Sequence, residues 1–296
     1  MNAPVKPLPQ AEFIALMAMV AATVAFSIDA MLPALPQMGE ALSPDNLNNA
    51  QLIITSFVLG MGIGTLFTGP LSDAYGRKSV MIGGAVVYII ACFVAWQAQS
   101  LGVMLAARVV QGLGAAGPRV VAIAMIRDLY AGRDMARILS FVMIVFALVP
   151  ALAPTIGYYI VILSGWHAIF LSFIVFTLVS VIWLIVRQPE TLPVEMRRPL
   201  SIRAMWSATL EMFAHRTACL SILIQTLTFS MLFNMLSSTQ QVFDQTFGQG
   251  DVFHLWFGGI AIVAASSGFL NARLVGRMGM RAIIKGMFSA QIAITA

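Results

Sequence analysis

Long apolar runs recur along the whole of this 296-residue chain, and each is about as long as a helix that crosses a bilayer. Eight such runs follow one another, at residues 12–35, 51–71, 79–98, 101–126, 138–164, 167–186, 218–242 and 253–274. A ninth begins near Ala282. The first run is too long, and too weakly flanked by basic residues, for a cleaved secretory signal. The repetition predicts an all-α polytopic membrane protein.

The composition excludes most other classes of protein. Charged residues make up only 10% of the chain and hydrophobic residues 59%, whereas a soluble domain carries about 25% charged residues. A soluble enzyme and a nucleic-acid-binding protein are therefore excluded. Cys92 and Cys219 both lie in apolar runs, and the three histidines are far apart. These positions predict neither a metal site nor a bound cofactor.

The basic residues predict the orientation of the spans. Fifteen of the 17 Lys and Arg residues lie at the N-terminus or beside alternate connections, while residues 36–50, 99–100, 165–166 and 243–251 contain none. By the positive-inside rule, the N-terminus and the basic connections are cytoplasmic. The two exceptions, Arg108 and Arg119, lie within the fourth span.

A long polar segment divides the chain. Residues 187–216 hold eight charged side chains and three prolines, and they predict a cytoplasmic central loop. Within it, 201–214 are predicted to form an amphipathic helix on the inner membrane surface. The segment separates an N-terminal six-helix half, residues 1–186, from a partial C-terminal half, residues 217–296.

The two parts of the chain share a pattern. Residues 71–78 after the second span are similar to residues 274–281 after the eighth, with an offset of 203 residues. The seventh span begins at about the same offset from the first. An internal duplication accounts for both observations better than chance similarity of short Gly/Arg segments.

Several motifs resemble those of the major facilitator superfamily. Gly69-Pro-Leu-Ser-Asp73-Ala-Tyr-Gly76-Arg77-Lys78 resembles its loop motif, although Ala74 stands where the family usually has Arg. Arg108-Val-Val-Gln111-Gly112-Leu-Gly114-Ala-Ala resembles its fourth-helix motif. Together these motifs are more specific than either alone.

Other motifs narrow the resemblance to Bcr/CflA-type drug/proton antiporters. Asp29-Ala-Met-Leu-Pro33-Ala-Leu-Pro36 is similar to the first-helix signature of that group. Pro150, Pro154 and Gly157 resemble the fifth-helix pattern of antiporters, and Pro189-Glu190-Thr191-Leu192 after the sixth span also fits the group.

The resemblance implies a fold, a function and a location. The major facilitator fold has twelve spans, of which about nine would lie in this chain, so that the C-terminal half is incomplete. The implied function is proton-coupled efflux of small drug-like molecules by rocking of two halves. The implied setting is the lipid bilayer of the bacterial inner (plasma) membrane, as a monomer that needs no cofactor and binds no nucleic acid. With spans missing, we expect residues 1–296 alone not to transport.

Asp29 is the only acidic residue deep inside a predicted span. An Asp at the centre of a spanning helix costs roughly 2.5–3.5 kcal/mol on insertion scales, which disfavours an unpaired Asp facing lipid. We predict that Asp29 faces a cavity and carries protons; the alternative is a purely structural partner for an arginine. Arg108 lies at a similar predicted depth, about 10 Å from the outer ends of the spans, and is the candidate partner in proton coupling.

A polar stripe on the fourth span predicts a substrate cavity. Arg108, Gln111 and Arg119 share one helix face, and Gln111 and Arg119 are predicted to line the cavity. Gln225 and Asn234 of the seventh span would contribute to it. For Arg119, extension of the side chain towards the inner surface is an equally acceptable interpretation.

Two further sets of residues predict conformational roles. Gly69, Asp73, Gly76, Arg77 and Lys78 form a predicted gating loop that bridges helix ends by charge-assisted hydrogen bonds; Arg77 and Lys78 also anchor the topology. In the fifth span, the missing N–H groups of Pro150 and Pro154, together with Gly157, predict a bend.

Alternative interpretations remain open from the sequence. The glycines within 112–117 match a dinucleotide-binding pattern by letter, but inside a membrane helix they predict close packing instead. An uncoupled or metabolite-specific facilitator, or a non-functional fragment of a transporter, would show the same spans. A membrane-embedded enzyme would need several clustered acidic or His side chains, and a single deep acid disfavours it.

Overall fold

The computed structural model describes residues 8–295, including all side chains in that range except those of residues 145, 204, 208, 265, 267–273, 275–277, 280, 281, 294 and 295. Lys6 and the side chains of Arg273, Arg277 and Arg281, which belong to the predicted charge pattern, lie outside this description. Eleven α-helices form the described chain: α1 Gln10–Asp29, α2 Leu35–Leu42, α3 Gln51–Tyr75, α4 Arg77–Trp96, α5 Leu101–Leu129, α6 Gly132–Ser164, α7 His167–Arg187, α8 Ile202–Ala214, α9 Arg216–Gln245, α10 Phe253–Met278 and α11 Met280–Thr295.

The helices agree with the predicted spans to within a few residues, apart from the first, and the predicted helix at 201–214 is confirmed as α8. Among the described residues, seven helical segments are long and apolar enough to cross a membrane, and two shorter apolar stretches lie at Gly250–Ala264 and Ala282–Ala293. Large apolar side chains such as Leu66 and Leu163 are mostly exposed on the outside of the bundle, as lipid contact requires. The predicted fold class, an all-α polytopic membrane protein, is confirmed.

The first span is broken, and here the prediction of one continuous helix was wrong. Helix α1 ends at Asp29 and is followed by a 3₁₀ turn at Leu32–Ala34 and then by α2. Pro33 and Pro36 each lie in the first turn of the segment that they open, where a missing N–H group costs nothing. Asp29 therefore ends a helix instead of lying within one.

The predicted gating loop is mostly helical, which corrects the prediction for residues 69–78. Helix α3 continues to Tyr75 and carries Gly69 and Asp73, and α4 begins at Arg77. Gly76 alone connects the two helices, with φ at +97°. That backbone conformation is readily adopted only by glycine, so a single residue makes the turn.

Helix α5 packs closely against α3 and α4. A Cβ atom added to Gly112 of α5 would overlap the carbonyl oxygen of Phe57, and one added to Gly60 of α3 would overlap that of Val109. The prediction that the glycines within 112–117 serve close helix packing is confirmed for Gly112 and Gly114, whereas a Cβ atom on Gly117 would meet nothing nearer than 3.9 Å. Elsewhere α1 packs against α6, and α6 packs against α10 of the second half.

Candidate functional site

Arg108 is the most deeply buried charged side chain of the site, with no exposed surface. Its Nε donates to the carbonyl oxygen of Ile53 at 3.0 Å, and one Nη donates to the carbonyl oxygen of Ser27 at 3.2 Å. The other Nη donates to Gln111 Oε1 at 2.6 Å. The guanidinium also lies 4.4 Å from the ring centre of Phe57. Neutral oxygens of α1, α3 and α5 and one aromatic ring thus satisfy this cation.

The Arg108 contacts continue into a buried polar network. Gln111 Nε2 donates to Cys92 Sγ at 3.0 Å, which connects α5 to α4. On α4, the hydroxyl group of Tyr88 lies 2.5 Å from the hydroxyl group of Ser27, and Ser27 also donates to the carbonyl oxygen of Thr23 at 2.6 Å. The network therefore holds α1, α4 and α5 in a fixed arrangement around Arg108.

Asp29 is buried, with 5% of its surface exposed. The similar depth of Asp29 and Arg108 permits a direct pair or a shared site, and a direct pair is not formed: the ion pairs between described residues join Arg77 to Asp73 and Asp128, and Arg187 to Glu12. Within the described part of the chain the Asp29 carboxyl group makes no hydrogen bond either. Arg108 instead holds the carbonyl oxygen of Ser27, two residues before Asp29. The two side chains thus approach the same end of α1 without meeting.

Helix α6 covers the break that follows Asp29. A Cβ atom on Gly157 would overlap the carbonyl oxygen of Ala30, so only glycine allows this backbone contact. Pro150 and Pro154 lie inside α6, which runs unbroken from Gly132 to Ser164. Each proline removes one backbone hydrogen bond from the helix. The two prolines lie within the two helical turns that precede the contact of Gly157 with Ala30.

A cavity of about 1110 Å³ lies between α3 and α9. Of the predicted cavity residues, Arg119, Gln225 and Asn234 line it. Gln111 does not: it is fully buried against Arg108 and Cys92. Asp29, which was predicted to face a cavity, is likewise not among the lining residues of this one. Gln111 and Arg119 differ because Gln111 packs against Cys92 of α4, whereas Arg119 lies more than two turns further along α5 and faces the cavity.

Polar contacts between the two halves lie at one end of the cavity. Gln51 Nε2 donates to Gln241 Oε1 at 2.8 Å, and Gln241 Nε2 donates to Asn48 Oδ1 at 2.7 Å. On the α6–α10 side, the ring of Tyr158 stacks on that of His254 at 4.0 Å. We refer to this end as the outer end, following the predicted orientation, and to the end with residues 76–78 as the inner end.

At the inner end, Arg77 joins three helices. Its Nη1 donates to Ser72 Oγ at 2.6 Å and to Asp73 Oδ1 at 2.5 Å, and its Nε donates to Asp128 Oδ2 at 3.0 Å. Lys78 Nζ donates to the carbonyl oxygen of Ile185 at 2.7 Å. The residues of the predicted gating segment therefore bridge the ends of α3, α4, α5 and α7.

Glu190 completes the inner network and was missed as a site residue. Its carboxylate accepts hydrogen bonds from the backbone N–H groups of Arg77 and Lys78, at 2.9 and 3.1 Å, at the N-terminus of α4. A negative charge is favourable there because of the unpaired N–H groups and the helix dipole. Asp128 was missed as well. An acid inside strongly basic inner connections was the available signal, but its partner lies far away in sequence.

A further ion pair marks the inner end of α1. Nε and one Nη of Arg187 donate to the Glu12 carboxylate, at 2.7 and 2.8 Å, and Trp183 Nε1 donates to it at 3.3 Å. This contact places the start of α1 beside the end of α7. In the described part of the chain, no group of three His, Cys, Asp or Glu side chains could hold a metal ion.

The fold and the buried charges define a polytopic helical membrane protein with a polar site enclosed by its first spans. Residues 17–296 match the Major Facilitator Superfamily, and the chain belongs to that family. The fold is shared with solved structures of low sequence identity, such as a bacterial homologue of the human lysosomal transporter Spinster, at TM-score 0.69 and 16% identity over 94% of this chain and 63% of that one.

Relatives with higher identity have names that refer to drug resistance. The chain is 30% identical to a bicyclomycin resistance protein homologue of Haemophilus influenzae, over 88% of this chain and 65% of that protein's length. It is 36% identical to a chloramphenicol resistance protein of Pseudomonas aeruginosa, over 48% of this chain and 34% of the relative. The predicted resemblance to drug-resistance members of the superfamily is therefore confirmed. The chain spans about two thirds of the length of the first relative.

Proposed function

We propose that this protein is a secondary transporter that exports small drug-like molecules across the bacterial cytoplasmic membrane in exchange for protons. The observation that carries the proposal is Asp29, a buried carboxyl group at the break in the first span that has no cation beside it among the described residues. Burying an uncompensated charge is costly. A carboxyl group in this position is therefore suited to bind and release a proton as its surroundings change.

Arg108 links the proton site to the cavity. It holds the carbonyl oxygen of Ser27 on α1 and that of Ile53 on α3, and residues of α3 on either side of Ile53, such as Gln51 and Thr55, line the cavity. When Asp29 loses its proton, its carboxylate attracts the guanidinium more strongly than a neutral carbonyl does. Moving Arg108 towards Asp29 would release α3, so that proton loss and a change in the cavity occur together.

The remaining predicted roles follow from this scheme. Residues 1–186 and 217–296 are the two moving parts, joined by 187–216, with the N-terminus in the cytoplasm. The network around Arg77 and Glu190 fastens the inner ends of the first part. Pro150 and Pro154 soften α6, the helix that contacts the second part, and this allows it to bend.

The resistance proteins among the relatives support export as the direction and drug-like molecules as the substrates. An uncoupled facilitator of the same fold is the alternative function. It would equilibrate a substrate but could not accumulate it against a gradient.

Transport in inside-out membrane vesicles tests the proposal. The protein is expressed in the cells from which the vesicles are prepared. Respiration acidifies the vesicle interior. We expect uptake of labelled chloramphenicol or 1-naphthoate above the external concentration, abolished by collapsing the pH gradient. Asp29→Asn keeps the size of the side chain but removes its titratable proton, so uptake should fall to that of vesicles without the protein.

Asp45→Asn is the matched control, because Asp45 is an exposed acid outside the spans. It should transport normally. If Asp29→Asn, present at a normal level in the membrane, still accumulated substrate with an unchanged pH dependence, Asp29 would be a structural residue only. Equilibration without accumulation by the unmodified protein would assign the chain to the facilitators.

A further inference from the structure

Arg119 is a charged side chain in the cavity wall that has no partner among the described residues. It lies ten residues before the end of α5 at Leu129, or about 15 Å from the inner end of the helix. Its side chain is exposed to the cavity. Among the described residues, it forms neither a hydrogen bond nor an ion pair. A cation held within the span region without a counter-charge requires either water or an anionic ligand.

The other lining residues that the structure describes carry no compensating charge. None of the lining residues that the structure describes is acidic, and Arg119 is the only basic one. The other polar groups are neutral amides and hydroxyls, including Gln225 and Asn234. This wall repels cations and offers one fixed position for a negative group.

The same wall has an aromatic surface. The rings of Phe229 and Phe233 on α9 are stacked with their centres 6.2 Å apart and an angle of 23° between their planes, and both line the cavity. Val58 and Met61 of α3 lie across from α9. An aromatic ligand body can pack on these rings while its polar end meets Arg119.

We infer that the cavity binds amphipathic organic anions, with an aromatic body and a single carboxylate, and that Arg119 pairs with the carboxylate. This inference rests on the proposed transport function and names its substrate class. A planar guanidinium matches a carboxylate with two parallel hydrogen bonds. A neutral amide of the same shape cannot form that pair.

Binding of three probes of one shape tests the inference. The 296-residue chain is purified into nanodiscs of zwitterionic phosphatidylcholine, and 1-naphthoate, neutral 1-naphthamide and cationic 1-naphthylmethylammonium are titrated separately. A charge-assisted hydrogen bond is worth about 1.5–3 kcal/mol. We therefore expect the anion to bind at least about tenfold more tightly than the amide, and the cation most weakly.

Variants of two arginines on α5 test whether Arg119 is responsible for the preference for the anionic probe. Arg119→Gln should abolish the preference for the anion while leaving binding of the amide unchanged, and Arg119→Lys should retain part of the preference. Arg127→Gln removes an exposed charge from the same helix outside the cavity and should bind like the unmodified chain. Equal affinities for anion and amide, or a preference that survives in Arg119→Gln, would overturn the inference.

Two further outcomes distinguish a substrate site from a lipid site, and anion binding from proton coupling. If phosphatidylglycerol added to the discs displaced 1-naphthoate completely, the site would belong to a lipid headgroup and the substrate assignment would be wrong. If Asp29→Asn still accumulated substrate in vesicles while the anion preference held, only the proton-coupling role of Asp29 would be contradicted. Failure of all three probes to bind would instead contradict the inferred substrate class, while uptake in the vesicle experiment would still decide the proposed function.

Discussion

At the scale of single residues, the buried arginine and the buried acid of the first half differ in their partners. Arg108 has three hydrogen-bond acceptors and an aromatic ring. Asp29 has no cation within the described chain, although both residues approach the end of α1. A permanently charged group with neutral partners is suited to hold structure, whereas an acid without a partner is suited to change its charge. In the proposed scheme, Asp29 is therefore the group that changes charge, and Arg108 is the group that holds the helices together until it does.

Arg108→Lys should destabilise the protein although it keeps the charge. The compact ammonium group cannot reach the carbonyl oxygens of Ser27 and Ile53 and the side chain of Gln111 together. Unsatisfied buried groups cost about 1–3 kcal/mol each, so we expect a loss of about 2–3 kcal/mol in the free energy of unfolding. Denaturant unfolding in detergent, followed by tryptophan fluorescence, measures it. Arg127→Lys on the same helix is the control. If Arg108→Lys unfolded at the same denaturant concentration as this control, the three contacts would contribute little to stability.

At the scale of helices, the sequence predicts existence and position well but connections poorly. Length and hydropathy alone are enough to place α3 to α7, since lipid requires every spanning segment to satisfy its own backbone. Length and hydropathy do not reveal the break after Asp29, because the residues around Pro33 and Pro36 are as apolar as those of a spanning helix. They also do not reveal the one-residue turn at Gly76, because the apolar run ends several residues before helix α3 does.

The candidate site was predictable only in part, for a related reason. Charge inside an apolar run identifies Asp29, Arg108 and Arg119 by type. Which of these side chains make contact depends on how the helices pack, and the pattern of charge and hydropathy along one sequence does not predict that packing. Glu190 illustrates this: its partners on α4 precede it by more than 110 residues.

Helix packing in the first half depends on backbone contact at glycine. Gly112→Ala would push α5 away from the carbonyl oxygen of Phe57 on α3. Overpacking of this kind costs about 1–3 kcal/mol, so the melting temperature should fall. Gly83→Ala in α4 is the matched control, since its added Cβ meets nothing within 4 Å and alanine favours the helix. Equal melting temperatures for the two variants would contradict the close-contact account.

At the scale of the whole molecule, the polar and ring contacts described between the halves and the charged cavity residue lie at different levels. The amide contacts of Gln241 and the stack of Tyr158 on His254 join the halves near the outer end. Arg119 lies nearer the inner end of its helix, and the network of Arg77 and Glu190 holds the inner ends of the first half. Within the described residues, these two sets of contacts therefore lie towards opposite ends of the helices.

The central claim is that substrate and proton binding are coupled through Asp29, and proton release on substrate binding tests it most directly. The purified protein is placed in weakly buffered solution with a pH-sensitive dye, and 1-naphthoate or chloramphenicol is added at saturating concentration. The account predicts release of protons from the unmodified protein and from Asp45→Asn, and none from Asp29→Asn, which still binds the compound. Binding without proton release by the unmodified protein, or equal release by Asp29→Asn, would contradict it.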